Sequence, residues 1–281
     1  MQMIHKALLG VLALATALPL TFAGARAHDA TKYPDLSGQW MKPGRFGDQW
    51  DPTKPLGFGQ QAPLTAEYRK VLEASLADQK AGGQGGDTRI TCRPNGMPRM
   101  MTPVRPMAFV VEPTTTYILF EINMPRRIYT DGREFPKDEE PTLAGYSIGK
   151  WVDEDGDGQF DVLQVETRNF KGPRTFETSG LPLHGDNQSV VRERIFLDPS
   201  NKDLLHDVIT VEDHALTHPW TVDKTYRRET KVRWVEDNCN EDNHHVYIGK
   251  DNYFLSGDGY LMPARKDQPP PDLRYFKQTQ K

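Results

Sequence analysis

Short runs in which apolar and polar residues alternate, separated by turn residues, dominate the chain from Cys92 to Trp234. A period of two places every second side chain on the same face of a β-strand, so each run predicts a strand. A further strand is expected at Ser37–Met41. The eight runs after Cys92 cover Met107–Val111, Thr116–Glu121, Arg126–Thr130, Gly145–Val152, Phe160–Thr167, Ser189–Leu197, Leu205–Asp213 and Lys224–Val235. The chain is therefore expected to be mainly β, with a closed antiparallel barrel or a strongly curved sheet that leaves few exposed edges.

One segment has helical spacing instead, and it runs from Pro63 to Lys80. Thr65 is suited to cap its first turn. The apolar positions form one stripe along the helix, made of Tyr68, Val71, Leu72 and Leu76. We therefore expect one N-terminal helix that covers the sheet or one end of a barrel.

The first 27 residues have the three parts of a secretory signal peptide. His5 and Lys6 begin the segment, Ala7–Phe22 is apolar, and Ala25–Ala27 has the small-x-small pattern of a cleavage site. This pattern in residues 1–27 therefore predicts that the mature protein is periplasmic or secreted. No later run approaches the roughly 20 apolar residues that span a bilayer, so no stable membrane insertion is expected.

Three regions are expected after the signal peptide. They are an N-terminal arm with the first strand and the helix (28–91), a β-barrel core (92–261) and a C-terminal arm (262–281). Pro269–Pro271 favours an extended conformation in that last arm.

Charge limits the class of partner. The chain has 35 Lys and Arg against 39 Asp and Glu, and loss of Lys6 and Arg26 with the signal peptide changes the net charge from −4 to −6. A mildly acidic chain without a block of basic residues argues against nucleic acid as the main partner. A small-molecule ligand is expected instead, and the oligomeric state is left open.

The sequence contains two cysteines, Cys92 and Cys239. In an oxidising compartment an isolated pair is expected to form a disulfide, which here joins the start of the sheet region to its end. Neither residue belongs to a CxxC motif, so zinc or redox chemistry at these thiols is not favoured.

Charged residues are dense between Arg126 and Arg133, where three guanidiniums, a phenol and a carboxylate surround one Asp-Gly turn. Alternation places Arg126 on one strand face and Arg127, Tyr129 and Asp131 on the other. Two interpretations stay open. The residues form a structural ion-pair network that fixes the sheet register, or they form a wall that recognises an anion or a carbonyl group.

Glu193 shares its strand face with Val191 and Ile195, so its carboxylate is expected on an apolar face. Desolvation there raises a carboxyl pKa unless an arginine neutralises the charge, and a raised pKa suits acid–base catalysis. Pairing with Arg126, Arg127 or Arg133 is the favoured, structural alternative. The candidate catalytic set is Tyr129, Asp131, His184 and Glu193.

The acidic segment Asp153–Asp161 has the Asp-x-Asp-x-Asp-Gly spacing of a calcium loop. The candidate ligands are Asp153, Asp155, Asp157 and Asp161, and Gln164 takes the position where such loops have a bidentate glutamate. A structural Ca²⁺ is therefore one interpretation, and an acidic hairpin tip is the other. No other cofactor is expected to be required.

His214 and His218 have the spacing of a helical metal pair, but Pro219 disfavours the helix that would align them. Loop histidines near the mouth of the sheet are the favoured interpretation. A zinc site that uses His184, His206 or the His244-His245 pair is the alternative.

Gly38-x-Trp40 resembles the opening strand of lipocalin-like (calycin) barrels. The resemblance implies that the indole of Trp40 lies across the closed end of the barrel and that an arginine from a late strand, Arg228 or Arg233, stacks on it.

Several longer phrases resemble a broad family of exported bacterial proteins, and the match covers nearly all of the mature chain but implies no reaction. The phrases are Cys92…Gly96–Met100, Arg126–Arg133, Gly145–Trp151, Glu193-Arg194, Thr210–Asp213 and Pro219–Thr221. The acidic Asp153–Asp161 insertion departs from the family pattern.

Two classes of function follow from these observations. The first is a binding protein whose barrel cavity receives an apolar or carboxylated small molecule. The second is an isomerase, lyase or hydratase that works without a redox cofactor in the same cavity. No nucleophile motif or dinucleotide-binding fingerprint occurs, which disfavours hydrolases and oxidoreductases. The residues expected to contact the ligand are Arg126, Arg127, Arg133, Trp151 and Trp220.

Overall fold

The computed structural model describes residues 29–43, 48–91, 93–231, 234, 245–248, 250–255 and 260–271. The predicted signal peptide, Cys92, Cys239 and Arg233 lie outside these ranges, so export and the disulfide stay predictions. Within the described ranges the fold is mainly β, with a closed barrel of nine strands and one α-helix. This part of the chain contains no helix long and apolar enough to cross a membrane.

The strands follow the predicted runs closely. The barrel strands are β1 (Gln39–Met41), β2 (Met107–Val111), β3 (Thr115–Phe120), β4 (Arg126–Tyr129), β5 (Tyr146–Val152), β6 (Val162–Arg168), β7 (Val190–Leu197), β8 (Leu204–Glu212) and β9 (Trp220–Glu229). β9 begins at Trp220 rather than at the expected Lys224. A separate sheet contains β10 (His245–Ile248), β11 (Asp251–Leu255) and β12 (Leu261–Pro263).

One strand pair departs from the antiparallel arrangement. β4 and β5 run parallel, with Ile128 opposite Ser147, whereas the other neighbouring strands of the barrel are antiparallel. Parallel neighbours cannot be joined by a tight hairpin, so residues 130–145 form a long connection between them. This connection packs on the outer face of the barrel, where Phe135 contacts Tyr146.

The barrel is closed at β1. Trp40 is fully buried, and the guanidinium of Arg228 on β9 lies 4.4 Å from its ring centroid. The indole Nε1 donates to the Leu36 carbonyl at 3.0 Å, and Arg228 donates to the carbonyls of Asp35 and Ser37. The stacking that the resemblance to lipocalin-like barrels predicts is therefore present, and Arg228 provides it.

The helix α1 covers Ala66–Lys80, and the Thr65 side chain accepts a hydrogen bond from Tyr68 N at 3.3 Å. The prediction of an apolar stripe is wrong at Val71, which is 46% exposed. The buried face runs through Leu72 and Ser75 instead. Val71 lies about 100° around the helix from Leu72, so burial of Leu72 against the protein turns Val71 toward solvent.

The barrel interior is filled with side chains that alternate inward along the strands. Large buried ones include Trp40, Met107, Ile118, Ile195, Ile209 and Tyr226. Tyr226 is fixed by a hydrogen bond from its hydroxyl to the Met101 carbonyl at 2.5 Å. The interior is therefore a packed core at these positions.

A buried ion pair crosses this core. Arg126 on β4 donates to both carboxylate oxygens of Glu193 on β7, with Nη1 2.7 Å from Oε1. The same guanidinium donates to Ser147 on β5 at 3.3 Å and to Thr167 on β6 at 2.9 Å. The apolar face predicted for Glu193 and its pairing with an arginine are thus both observed.

We expect Arg126→Met to lower the free energy of unfolding by about 3–5 kcal/mol, because Glu193 would keep a buried charge without its partner. The double variant Arg126→Met/Glu193→Leu should lose less than the two single variants added together, since neither charge is left alone. Urea unfolding followed by tryptophan fluorescence measures both effects.

Arg168→Met is the matched control, because Arg168 is half exposed and bridges Glu166 at the surface. Such a surface pair contributes at most about 1 kcal/mol. An Arg126→Met variant that loses no more stability than this control would contradict the expectation.

Candidate functional site

A groove of about 870 Å³ lies on the outer face of the barrel wall, over strands β5 to β8. Its floor residues alternate with buried ones, so their side chains point away from the barrel axis. The outward residues of the floor are Ile148, Lys150, Gln164, Glu166, Arg192, Arg194, Val208 and Thr210, and the inward residues Gly149, Val165 and Glu193 between them also line the groove. The sheet itself therefore separates this groove from the barrel interior, where the sequence predicts the ligand cavity.

Two walls border the floor. One comes from the β2–β3 turn and from the connection after β4, and comprises Pro113, Thr130, Gly132 and Arg133. The other is aromatic: the ring of Tyr33 lies 5.1 Å from that of Phe160 and 5.3 Å from that of Trp151. The N-terminal arm is held in place beside them by a hydrogen bond from Phe160 N to the Lys32 carbonyl at 2.7 Å.

The floor carries a row of polar groups across neighbouring strands. Lys150 on β5 pairs with Gln164 on β6, which pairs with Arg194 on β7. Both oxygens of Glu154 accept from Arg194 at 2.8 Å. Among the described residues no carboxylate lies within ion-pair distance of Lys150. The row therefore has a cation at each end and an amide between them.

The strand faces divide the arginine-rich segment as predicted. Arg126 points into the barrel, whereas Arg127 and Tyr129 point outward, and Arg133 lies 3.9 Å from the Tyr129 ring centroid. Arg133 also binds Asp131, and this hydrogen bond is the main cause that lowers the pKa of Asp131 to about 2. Asp131 is thus ionised at any ordinary pH and is poorly suited to accept a proton.

The two tryptophans expected to contact ligand lie in different places. Trp151 borders the groove, but its side chain is buried on the β5 face opposite Lys150, where its Nε1 donates to Thr116 Oγ1 at 3.2 Å. Trp220 is buried and packs against Trp50 and Phe176, at ring distances of 6.0 and 5.2 Å. Trp220 therefore belongs to the core packing rather than to the groove.

The candidate catalytic residues are not brought together. Glu193 binds Arg126 inside the barrel, whereas Tyr129 and Asp131 lie outside it with Arg133. His184 contacts Tyr68, Asp186 and His214 in a different region. Across the described ranges no hydrogen bond or ion pair joins any two of the four.

Two further buried polar residues, outside the candidate set of the sequence, lie on β8 and β9. Asp207 on β8 is fully buried, and neither of its carboxylate oxygens has a hydrogen-bond partner in the described part of the chain. Lys224 on β9 is its cross-strand neighbour. The Lys224 ammonium instead donates to the Trp50 carbonyl and, at 2.9 Å, to Thr102 Oγ1.

The signal for this pair is present in the strand alternation. Asp207 shares the apolar face of β8 with Leu205 and Ile209, which is the same pattern that singles out Glu193. Burial raises the pKa of Asp207 well above its ordinary value, and the Glu193 carboxylate adds to the rise. Burial also lowers the pKa of Lys224 to about 7.

The acidic loop gathers three of its four candidate ligands. Carboxylate oxygens of Asp153, Asp155 and Asp161 lie within 4.8 Å of one another, and Asp157 is not part of this group. The loop is also held by its own backbone: Asp153 accepts from Gly158 N at 2.9 Å. Calcium binding stays a prediction.

Comparisons with models of protein families, with curated proteins and with solved structures give no match for this chain. The barrel and the stacking of Arg228 on Trp40 agree with a lipocalin-like fold. Membership of the exported bacterial family stays a prediction.

The free energy of unfolding of Asp207→Asn, relative to the natural protein, should rise with pH. Because the pKa of Asp207 is raised in the folded state, folding takes up a proton above the ordinary carboxyl pKa and the natural protein loses stability as pH rises. The lower part of the range, from about pH 4 to 5.5, is the informative window, because the pKa of Lys224 is lowered to about 7 and this group adds its own slope closer to neutrality. The free energy of unfolding of Asp207→Asn, minus that of the natural protein, should increase by about 1–3 kcal/mol over this range.

Urea unfolding at several pH values measures this difference, and Asp138→Asn, at an exposed position, is the control. A difference that stays constant across this pH window would contradict the raised pKa.

Proposed function

We propose that this barrel protein binds an amphipathic small molecule with an apolar, ring-like body and a carboxylate, in the groove over β5 to β8. The supporting observation is that the aromatic wall of Tyr33, Phe160 and Trp151 borders the same groove as the Lys150–Gln164–Arg194 row. Because residues 1–27 predict export, the ligand is expected to be a periplasmic or extracellular solute.

The groove has the size and the apolar surface that such a ligand needs. Its volume of about 870 Å³ falls in the range of about 300–1,000 Å³ that is common for small-molecule sites. Aromatic side chains bind flat apolar groups by offset or edge-to-face contacts. Ile148 and Val208 extend the apolar surface across the floor.

The polar row supplies recognition of an anion. Adjacent strands are about 4.8 Å apart, so a ligand carboxylate over Gln164 lies within reach of both the Lys150 ammonium and the Arg194 guanidinium. The bidentate contact with Glu154 neutralises part of the charge of Arg194 and fixes its orientation. Lys150 is therefore the main source of uncompensated positive charge.

The acid–base alternative has less support. The carboxylate of Glu193 is occupied by both Nη atoms of Arg126 on the far side of the sheet. Asp131 lies with Arg133 at the surface, and its pKa is low. An isomerase or lyase needs a base and an acid that converge on one substrate, and binding alone does not.

The test uses 2-naphthoate and the neutral analogue 2-naphthamide, with isothermal titration calorimetry and ligand-observed NMR. We expect Lys150→Gln to weaken 2-naphthoate binding about 3–10-fold, because one charge-assisted hydrogen bond is lost at a partly exposed site. Binding of 2-naphthamide should be unchanged. Phe160→Ala should weaken both compounds, since the aromatic wall contacts the ring of either.

Lys202→Gln is the matched control, because Lys202 is an exposed lysine in the turn between β7 and β8. Equal effects of Lys150→Gln and Lys202→Gln on 2-naphthoate would contradict the proposed site. If the natural protein binds neither 2-naphthoate nor 2-naphthamide, the proposed ligand class is wrong.

A further inference from the structure

Two loops at some distance in the sequence bring two histidines and an aspartate together. His184 and Asp186 lie in the loop that precedes β7, and His214 follows β8. One ligand atom from each, a ring nitrogen of both imidazoles and a carboxylate oxygen, lies within 4.8 Å of the others. None of these residues lines the groove of the proposed function.

The carboxylate of Asp186 lies between the two imidazoles. Its Oδ1 is 2.9 Å from His184 Nδ1, and its Oδ2 is 2.6 Å from His214 Nδ1. The Asp186 backbone N–H points at His184 Nδ1 from 3.1 Å, which favours the tautomer whose Nδ1 carries the lone pair. This lone pair and Asp186 Oδ1 are then two acceptors 2.9 Å apart, an arrangement that a nearby cation stabilises, and a metal ion at Nδ1 would replace the backbone N–H there. The unprotonated imidazole nitrogen is the form that binds metals.

One buried side chain, Asp213, fixes the position of the two loops relative to each other. Asp213 Oδ1 accepts from the backbone N of His184 at 2.8 Å and from the backbone N of Ala215 at 2.9 Å. Its other oxygen accepts from the Ser189 hydroxyl. The positions of both histidine-bearing segments are therefore set before any ligand arrives, which lowers the cost of assembling a site.

The imidazole of His184 is also restrained. Its ring lies 5.0 Å from that of Tyr68 on α1, and the Tyr68 hydroxyl accepts from Gly185 N at 3.0 Å. Fixed ligand orientation is a general property of metal sites, where neighbouring groups hold the coordinating imidazoles.

We infer that His184, Asp186 and His214 bind a divalent first-row transition-metal ion, with Zn²⁺ as the probe of choice. Two imidazole nitrogens and one carboxylate oxygen suit zinc, copper and nickel, whereas calcium and magnesium prefer oxygen ligands alone. Three protein ligands leave a coordination position for water or an added ligand, as in open zinc sites. The His214 side chain is 68% exposed, so solvent reaches the ion directly.

His206 provides an internal comparison. It too lies between two carboxylates, at 3.3 Å from Asp198 and 3.1 Å from Asp223. This cluster has one imidazole rather than two, so its affinity for zinc or copper should be lower. A His206 variant therefore separates a metal site from an ordinary histidine–carboxylate contact.

The experiment measures Zn²⁺ binding to the full mature chain by competition with a chromophoric chelator. His244→Gln/His245→Gln serves as the background, because that adjacent pair is a competing zinc ligand in the sequence. We expect one tightly bound Zn²⁺ per chain. His184→Gln and His214→Gln should each weaken it at least tenfold, and His206→Gln should leave it unchanged.

Electron paramagnetic resonance of the Cu²⁺-loaded protein gives a second readout. Hyperfine splitting from two imidazole nitrogens is expected in the background protein, and from one in His214→Gln. The unfolding midpoint of each metal-free variant is measured separately and shows that the variant folds. The inference is overturned if the background protein binds no Zn²⁺, if His184→Gln and His214→Gln bind it as tightly as the background, or if His206→Gln loses it equally.

Discussion

A guanidinium that is removed from water must find oxygen partners, and in this barrel that need joins four consecutive strands. Arg126 on β4 reaches Ser147 on β5, Thr167 on β6 and Glu193 on β7. The parallel contact of β4 with β5 is short, with two residue pairs in register. The hydrogen bonds of Arg126 cross that junction from the inside, so the correct register is the one in which every buried polar group of this network is paired.

The period-two pattern predicted the barrel strands because burial of one face is a local property of each run. It could not show that β4 and β5 run parallel, since alternation is the same in both directions. The pairing of Glu193 with Arg126 could be predicted from the sequence for the same reason as the strands, because each residue lies on the buried face of its strand. Asp207 lies on the buried face of β8, so the same alternation marks it as well. The groove combines residues from distant segments, such as Tyr33 and Arg194, and no local pattern brings such residues together.

The two faces of the β5–β8 wall have different roles. Inward side chains such as Val165 and Ile195 fill the core, which makes the wall rigid. Outward side chains on the same strands, such as Lys150 and Arg194, are displayed with fixed spacing because their neighbours along the chain are buried. A rigid sheet is a good support for a binding surface, since little ordering of the protein is needed when a ligand arrives.

The strand β1, which closes the barrel, is also one of the shortest, and its length affects where the barrel opens locally. Three residues of β1 pair with β9, whereas a single pair, Trp40 with Met107, joins β1 to β2. This seam has few backbone hydrogen bonds, and local opening requires least energy where few such bonds and contacts must break. Amide protons along the edge of β2 that faces β1 should therefore exchange with solvent sooner than those shared by β7 and β8, whereas the contacts of Arg228 keep β1 attached to β9.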